Sequence, residues 1–122
     1  MYTGLYGVSN GAAEAFVAAA ARPNQIQAIV SRGGRPDLAG VTLNQVHAAT
    51  LLIVGGYDTN IMRLNQEAYM VLRSVKAIEV VPGATHLFEE PGAMEQVSTL
   101  TRDWFMQYLT VVPEPDQWKP VT

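Results

Sequence analysis

The pentapeptide Gly7-Val8-Ser9-Asn10-Gly11 has the form G-x-S-x-G, in which a serine hydroxyl stands at a sharp strand-to-helix turn and is presented for attack on an acyl carbon. A serine hydroxyl is a weak nucleophile unless a neighbouring base takes its proton. The chain holds two histidines, His47 and His86, the second in VPGATHLFEEPG. Asp58, in VGGYDTN, is a carboxylate able to hold an imidazole in the tautomer that accepts a proton from serine. Taken singly, each residue has a structural reading: Ser9 or Asp58 as a helix N-cap, His47 as a solvated histidine. Taken together, Ser9, Asp58 and His86 each follow a different apolar stretch of strand length, and three such placements met jointly outweigh three weak signals.

The elements that must position these residues alternate regularly. Tyr2 to Tyr6 reads as a strand, and Ala12 to Ala21 as a helix with Phe16, Val17 and Ala20 on one face. Pro23-Asn24 breaks that helix, Ile26 to Val30 reads as a second strand, and SRGGRPDLAG as a loop. Thr50 to Val54 is a continuous apolar run ending in Gly55-Gly56, the pattern of a parallel strand buried on both faces. Ile61, Leu64, Asn65, Ala68 and Leu72 then recur at helical spacing, Ala77 to Val81 gives a fourth strand, and Met94 to Leu109 a last helix with Val97, Thr101, Trp104 and Tyr108 in one stripe. Strand and helix in alternation predict an α/β fold with a parallel sheet, whose ligands bind beyond the carboxyl ends of the strands. Ser9, Asp58 and His86 fall on that edge, whereas His47 precedes its strand and falls on the opposite one. Residues 1–109 form one domain in this reading, followed by a proline-rich tail over 110–122.

A chain of 122 residues, 48% apolar, is long enough for one compact core. A formal charge of −3 and a pI near 5.2, without a lysine or arginine block, supply no electrostatic footprint for nucleic acid or an anionic membrane. The absence of cysteine excludes disulfides and thiolate metal sites, and neither a signal-peptide pattern nor a long apolar run is seen. A cytoplasmic protein without metal or cofactor is expected. Arg32 and Arg35 read as solvated loop residues first and as a grip on a substrate carboxylate second. Glu89 and Glu90, ahead of Pro91, read as acidic residues favouring a helix N-terminus.

The elbow GLYGVSNGAAEAF, the loop SRGGRPDL, the strand TLLIVGGYD and the segment VPGATHLFEEPGAMEQV resemble the C-terminal half of an α/β-hydrolase, dienelactone-hydrolase-like members in particular, over residues 2 to about 109. The resemblance implies a truncated α/β-hydrolase fold, a parallel four-stranded sheet flanked by helices. It assigns Ser9 the role of nucleophile, His86 that of general base and acid, Asp58 that of acidic partner, and the Asn10 backbone N–H one oxyanion contact. Ala49 stands where related sequences commonly carry proline. The family's strands before the elbow strand, and the loop that supplies a second oxyanion donor, have no counterpart in these residues. Two functions follow as alternatives: a serine-dependent ester or lactone hydrolase acting on a small acyl substrate, or a non-catalytic hydrolase fragment that folds by self-association. The strand Tyr2 to Tyr6 would be an unprotected sheet edge, which predicts a homodimer. A dinucleotide-binding module fits less well, because GVSNGAAEA lacks the three-glycine spacing.

Overall fold

The computed structural model describes residues 3–109. Four parallel strands, β1 (Thr3–Val8), β2 (Ile26–Arg32), β3 (Ala49–Gly55) and β4 (Lys76–Val81), lie side by side in chain order. Helix α1 (Gly11–Ala21) connects β1 to β2, a 3-10 segment (Pro36–Gln45) connects β2 to β3, α2 (Thr59–Val71) connects β3 to β4, and α3 (Ala93–Leu109) follows β4. The expected parallel α/β sheet flanked by helices is therefore the observed one.

Burial follows from each strand's position in the sheet. All seven residues of β3 are buried, as a strand with neighbours on both sides and helices on both faces must be. Its side chains alternate between two cores. Leu52 joins Ile29 of β2, Phe16 and Ala19 of α1, Leu43, and Ala68 near the end of α2. Leu51 and Ile53 join Val30, Val81, Phe88 and Val97 of α3 on the opposite face. Phe16 is completely buried, so truncating it to alanine costs about 3–5 kcal/mol. Val17, expected on the same face, is instead 47% exposed: α1 buries Ala12, Ala13, Phe16 and Ala19, a stripe rotated away from Val17.

The edge strands β1 and β4 are partly exposed. β1 runs two residues beyond its expected end at Tyr6, through Gly7 and Val8, because those positions pair with Ser31 and Arg32 of a β2 that is itself longer than expected. Arg32 is thus the last residue of a strand, paired with Ile53 on its other side. The stretch read as a loop after β2 winds into 3-10 turns, with a kink at Gly40. Trp104, in the α3 stripe, is half-buried on the α3 side of the sheet and donates its Nε1–H to the Ala49 carbonyl at 3.0 Å. The expectations for Tyr2 and for the 110–122 tail lie outside the described residues.

Candidate active site

Ser9 follows the carboxyl end of β1 with φ of 54°, a left-handed conformation unusual for a residue with a side chain. Backbone bonds hold it on two sides. Its N–H donates to the Arg32 carbonyl at 3.2 Å, and its carbonyl accepts from Ala12 at 3.2 Å and from Arg35 at 3.1 Å. The turn is possible because Gly7 has no Cβ, which would sit 2.6 Å from the Ala12 Cα. Gly11, the other glycine of the motif, meets nothing within 4 Å of where a Cβ would stand, so close packing accounts for one glycine and not for both. Neither Ser9 nor Asn10 caps α1 through its side chain; Asn10 occupies the N-cap position without a side-chain hydrogen bond. The Asn10 N–H has no backbone acceptor among the described residues and stands at the positive end of the α1 dipole.

Asp58 also occupies an N-cap position, that of α2, again without a side-chain bond to the helix. Its carboxylate turns toward His86: Nδ1 to Asp58 Oδ2 is 2.7 Å. The two loops are laced together by backbone bonds from Gly56 N–H to the Val81 carbonyl at 2.9 Å and from Tyr57 N–H to the Ala84 carbonyl at 3.0 Å. On its other side, His86 Nε2 lies 3.3 Å from Ser9 Oγ. With the ring proton on Nδ1, donated to Asp58, Nε2 is an acceptor for the serine hydroxyl. The Asp58 side chain is 15% exposed and that of His86 38%, so the ion-pairing end is shielded while the histidine opens to solvent. His47 is exposed and precedes β3 at the sheet's other edge, apart from this group.

Two neighbours of the group were not legible as such in the sequence. Glu90, read as a helix-terminus residue, holds Thr85: Thr85 Oγ1 donates to one carboxylate oxygen at 2.6 Å and Thr85 N–H to the other at 3.1 Å. These bonds, the hydroxyl's first, hold the Glu90 carboxyl below its usual range. Asn65, counted in the α2 stripe, is fully buried and spans from α2 to the loop after β2, its amide donating to the Gly34 carbonyl at 3.0 Å and to Ile61 at 2.8 Å. Arg35 is committed to Asp37 through Nε and Nη2 at 3.0 and 2.8 Å, the geometry of a bidentate pair. Arg32 has no carboxylate partner among the described residues; its guanidinium lies 5.6 Å from the Phe88 ring centroid and its Nη1 2.9 Å from Met94 Sδ.

A dienelactone hydrolase from Anabaena variabilis superposes on 86% of the chain with a TM-score of 0.85 and 52% sequence identity, and the match covers 49% of that protein. The chain has the fold of half an α/β-hydrolase, of the dienelactone-hydrolase kind. Two further hydrolase-like structures share this half-domain fold at lower identity. A CIB-like hydrolase from Thermoplasma acidophilum matches at 19% identity with a TM-score of 0.71, over 84% of this chain and 49% of that one. A dienelactone-hydrolase-like promiscuous phosphotriesterase from metagenomic libraries matches at 18% and 0.66, over 86% and 52%. Two Mycobacterium tuberculosis proteins, from strains CDC 1551 and H37Rv, are each 56% identical over 106 residues and are named as candidate phosphoribosyl transferases. The α/β-hydrolase half-domain spans 24% of the length of these curated relatives. No family model matches the chain. Among the described residues no helix is long and apolar enough to cross a membrane, and no group of three or more potential metal ligands occurs.

Proposed function

We propose that the chain carries the nucleophile, base and acid of a serine hydrolase acting on small carboxylic esters or lactones. The observation that carries this reading is the continuous chain of polar contacts from Ser9 Oγ to His86 Nε2 at 3.3 Å and from His86 Nδ1 to Asp58 Oδ2 at 2.7 Å. A separation of 3.3 Å is within the looser range found before substrate binds. Ser9 Oγ bonds to the acyl carbon as its proton passes to His86 Nε2, and the carbonyl oxygen becomes an oxyanion that accepts from the Asn10 N–H. The oxyanion collapses, the alkoxide leaves with the proton from Nε2, and the acyl group remains on Ser9. Water then attacks the acyl-serine, gives its proton to Nε2, and the acid is released as Ser9 regains its hydrogen. No step calls on a cofactor.

Labelling of Ser9 by a fluorophosphonate and turnover of p-nitrophenyl acetate, both abolished in Ser9→Ala, test the reading. A folded protein that shows neither is the non-catalytic alternative. That alternative draws support from coverage: the chain matches 49% of the Anabaena dienelactone hydrolase, and a second oxyanion donor, whose loss costs about 10²–10³ in rate, has no candidate among the described residues. In this reading the phosphoribosyl transferase named in the mycobacterial relatives resides outside the 24% of their length that is matched. The absence of cysteine fits a cytoplasmic setting. A second copy pairs at the β1 edge, where Tyr6 and Val8 are exposed at 44% and 38%; light scattering that finds monomer alone at micromolar concentration refutes the dimer.

A further inference from the structure

We propose that Glu90 is a positioning residue for His86, acting through Thr85. The inference rests on His86 serving as the base, and one of its readouts does not require turnover.

His86 sits in a short turn with no regular ladder of its own. Three features define that turn: Phe88 N–H donates to the Thr85 carbonyl at 3.1 Å, Phe88 takes φ of 57°, and the Phe88 ring is buried in the core beneath α3. These fix where the turn begins and ends. The residue immediately before His86 is exposed, and the two bonds from Thr85 to the Glu90 carboxylate are what hold it. One of them comes from the Thr85 main chain, so the carboxylate fixes backbone as well as side chain.

Glu90 is itself anchored at the head of α3. Its carbonyl accepts from Ala93 N–H at 3.0 Å, and Ala93 and Val97 are buried against the sheet. One residue therefore connects a helix packed on the sheet to the turn bearing the imidazole, from its carbonyl on one side and its carboxylate on the other. Asp58 fixes the far end of the ring at Nδ1. Asp58 orients the imidazole about its own axis, and Glu90 fixes the backbone from which it projects.

The Thr85 hydroxyl, ahead of the backbone donors, favours the ionised form of the Glu90 carboxyl, the form that accepts both Thr85 bonds. No charged side chain contributes to that depression; the titratable groups of the surrounding loops are Tyr57, Asp58, His86 and Glu89. The clasp is thus a fixed support for the turn.

The test compares Glu90→Ala, Glu90→Gln and Thr85→Val in the whole chain. Glutamine keeps an acceptor for the Thr85 N–H and can donate to its hydroxyl, so it is the conservative rescue. On p-nitrophenyl acetate, Glu90→Ala is expected to lower kcat by about tenfold to a hundredfold, the cost of a misplaced base, with KM changed less than about twofold, and Glu90→Gln to recover most of the loss. Thr85→Val added to Glu90→Ala lowers kcat no further, because the two share one interaction. In proton NMR, the downfield Nδ1–H signal of His86 is expected in the wild type and in Glu90→Gln and broadened or lost in Glu90→Ala. Unchanged kcat and an unchanged signal in Glu90→Ala overturn the proposal, as does a loss in kcat that glutamine does not restore. Should Glu90→Ala not fold, Glu90→Leu, which keeps the stem and removes both acceptors of the Thr85 bonds, must produce the kcat and NMR changes, and its failure to do so overturns the proposal equally. Absence of turnover in the wild type refutes the hydrolase reading instead, and the NMR comparison then decides the role of Glu90 alone.

Discussion

Asp58 occupies the N-cap position of α2, yet its carboxylate makes no bond to the helix and instead meets His86 Nδ1 at 2.7 Å. A position that ordinarily serves helix stability here serves a ring. Asp58→Asn should therefore leave the melting temperature nearly unchanged, whereas loss of a working N-cap costs about 1 kcal/mol. The amide favours the wrong imidazole tautomer, and kcat on p-nitrophenyl acetate is expected to fall by about 10⁴. Parallel thermal melts and steady-state kinetics check both halves.

The two glycines of the elbow should respond oppositely to alanine. Gly7→Ala drives a methyl against the Ala12 backbone, which cannot yield without moving the turn, and is expected to destabilise by about 1–3 kcal/mol or more. Gly11→Ala enters open space at the first turn of α1 and should stabilise by about 0.5–1 kcal/mol. Urea midpoints of the two variants against the parent measure the contrast.

Arg32 lacks a carboxylate partner among the described residues, its guanidinium lying against Phe88 and Met94; under the hydrolase proposal it is the arginine to test for contact with an anionic group on a substrate. Arg32→Met keeps the apolar stem and removes the charge. Its kcat/KM on the mono-p-nitrophenyl ester of glutaric acid is expected to fall by about tenfold or more, the worth of a charged hydrogen bond, with little change on p-nitrophenyl butyrate. An equal effect on both esters would show that Arg32 does not read charge.

The Arg35–Asp37 pair sets an acid sensitivity. Hydrogen bonding to the Arg35 guanidinium, ahead of the opposing effect of burial, holds Asp37 below the usual carboxylate range. The folded pKa is the lower one, so the pair's contribution is present above the ordinary carboxylate range and is lost as pH falls through the depressed value. Because both side chains are about a third exposed, the effect is modest. Asp37→Asn should be less stable than the parent at pH 7, and the gap in denaturant midpoint should close as pH falls through the depressed value of Asp37.

Much of this architecture was readable from side-chain type alone. LLIV has no polar residue to place in water, and Thr50 ahead of it satisfies its hydroxyl on the Ala48 carbonyl, so β3 had to be central, and the carboxyl ends of β1, β3 and β4 then had to bring Ser9, Asp58 and His86 to one edge. What escaped depends on contacts between backbones. The lengths of β1 and β2 are set by mutual pairing of Gly7 with Ser31 and Val8 with Arg32, which neither segment announces alone. The Glu90 clasp needs the turn at Phe88 to double back before residues five positions apart can meet. Asn65 at a core position was the one legible hint: a buried amide must find acceptors, and it finds one across the fold at Gly34.

The order of elements along the chain also has a consequence for synthesis. Val30, Leu51, Ile53 and Val81 form one face of the sheet, and α3, which follows every strand, is the helix that covers them. A nascent chain that has extruded all four strands still displays this apolar face, and the face closes when Ala93, Val97 and Trp104 clear the ribosome tunnel and dock. The interval between the emergence of residue 81 from the tunnel and the emergence of α3 should therefore be the one in which the chain is most exposed to chaperone capture or aggregation.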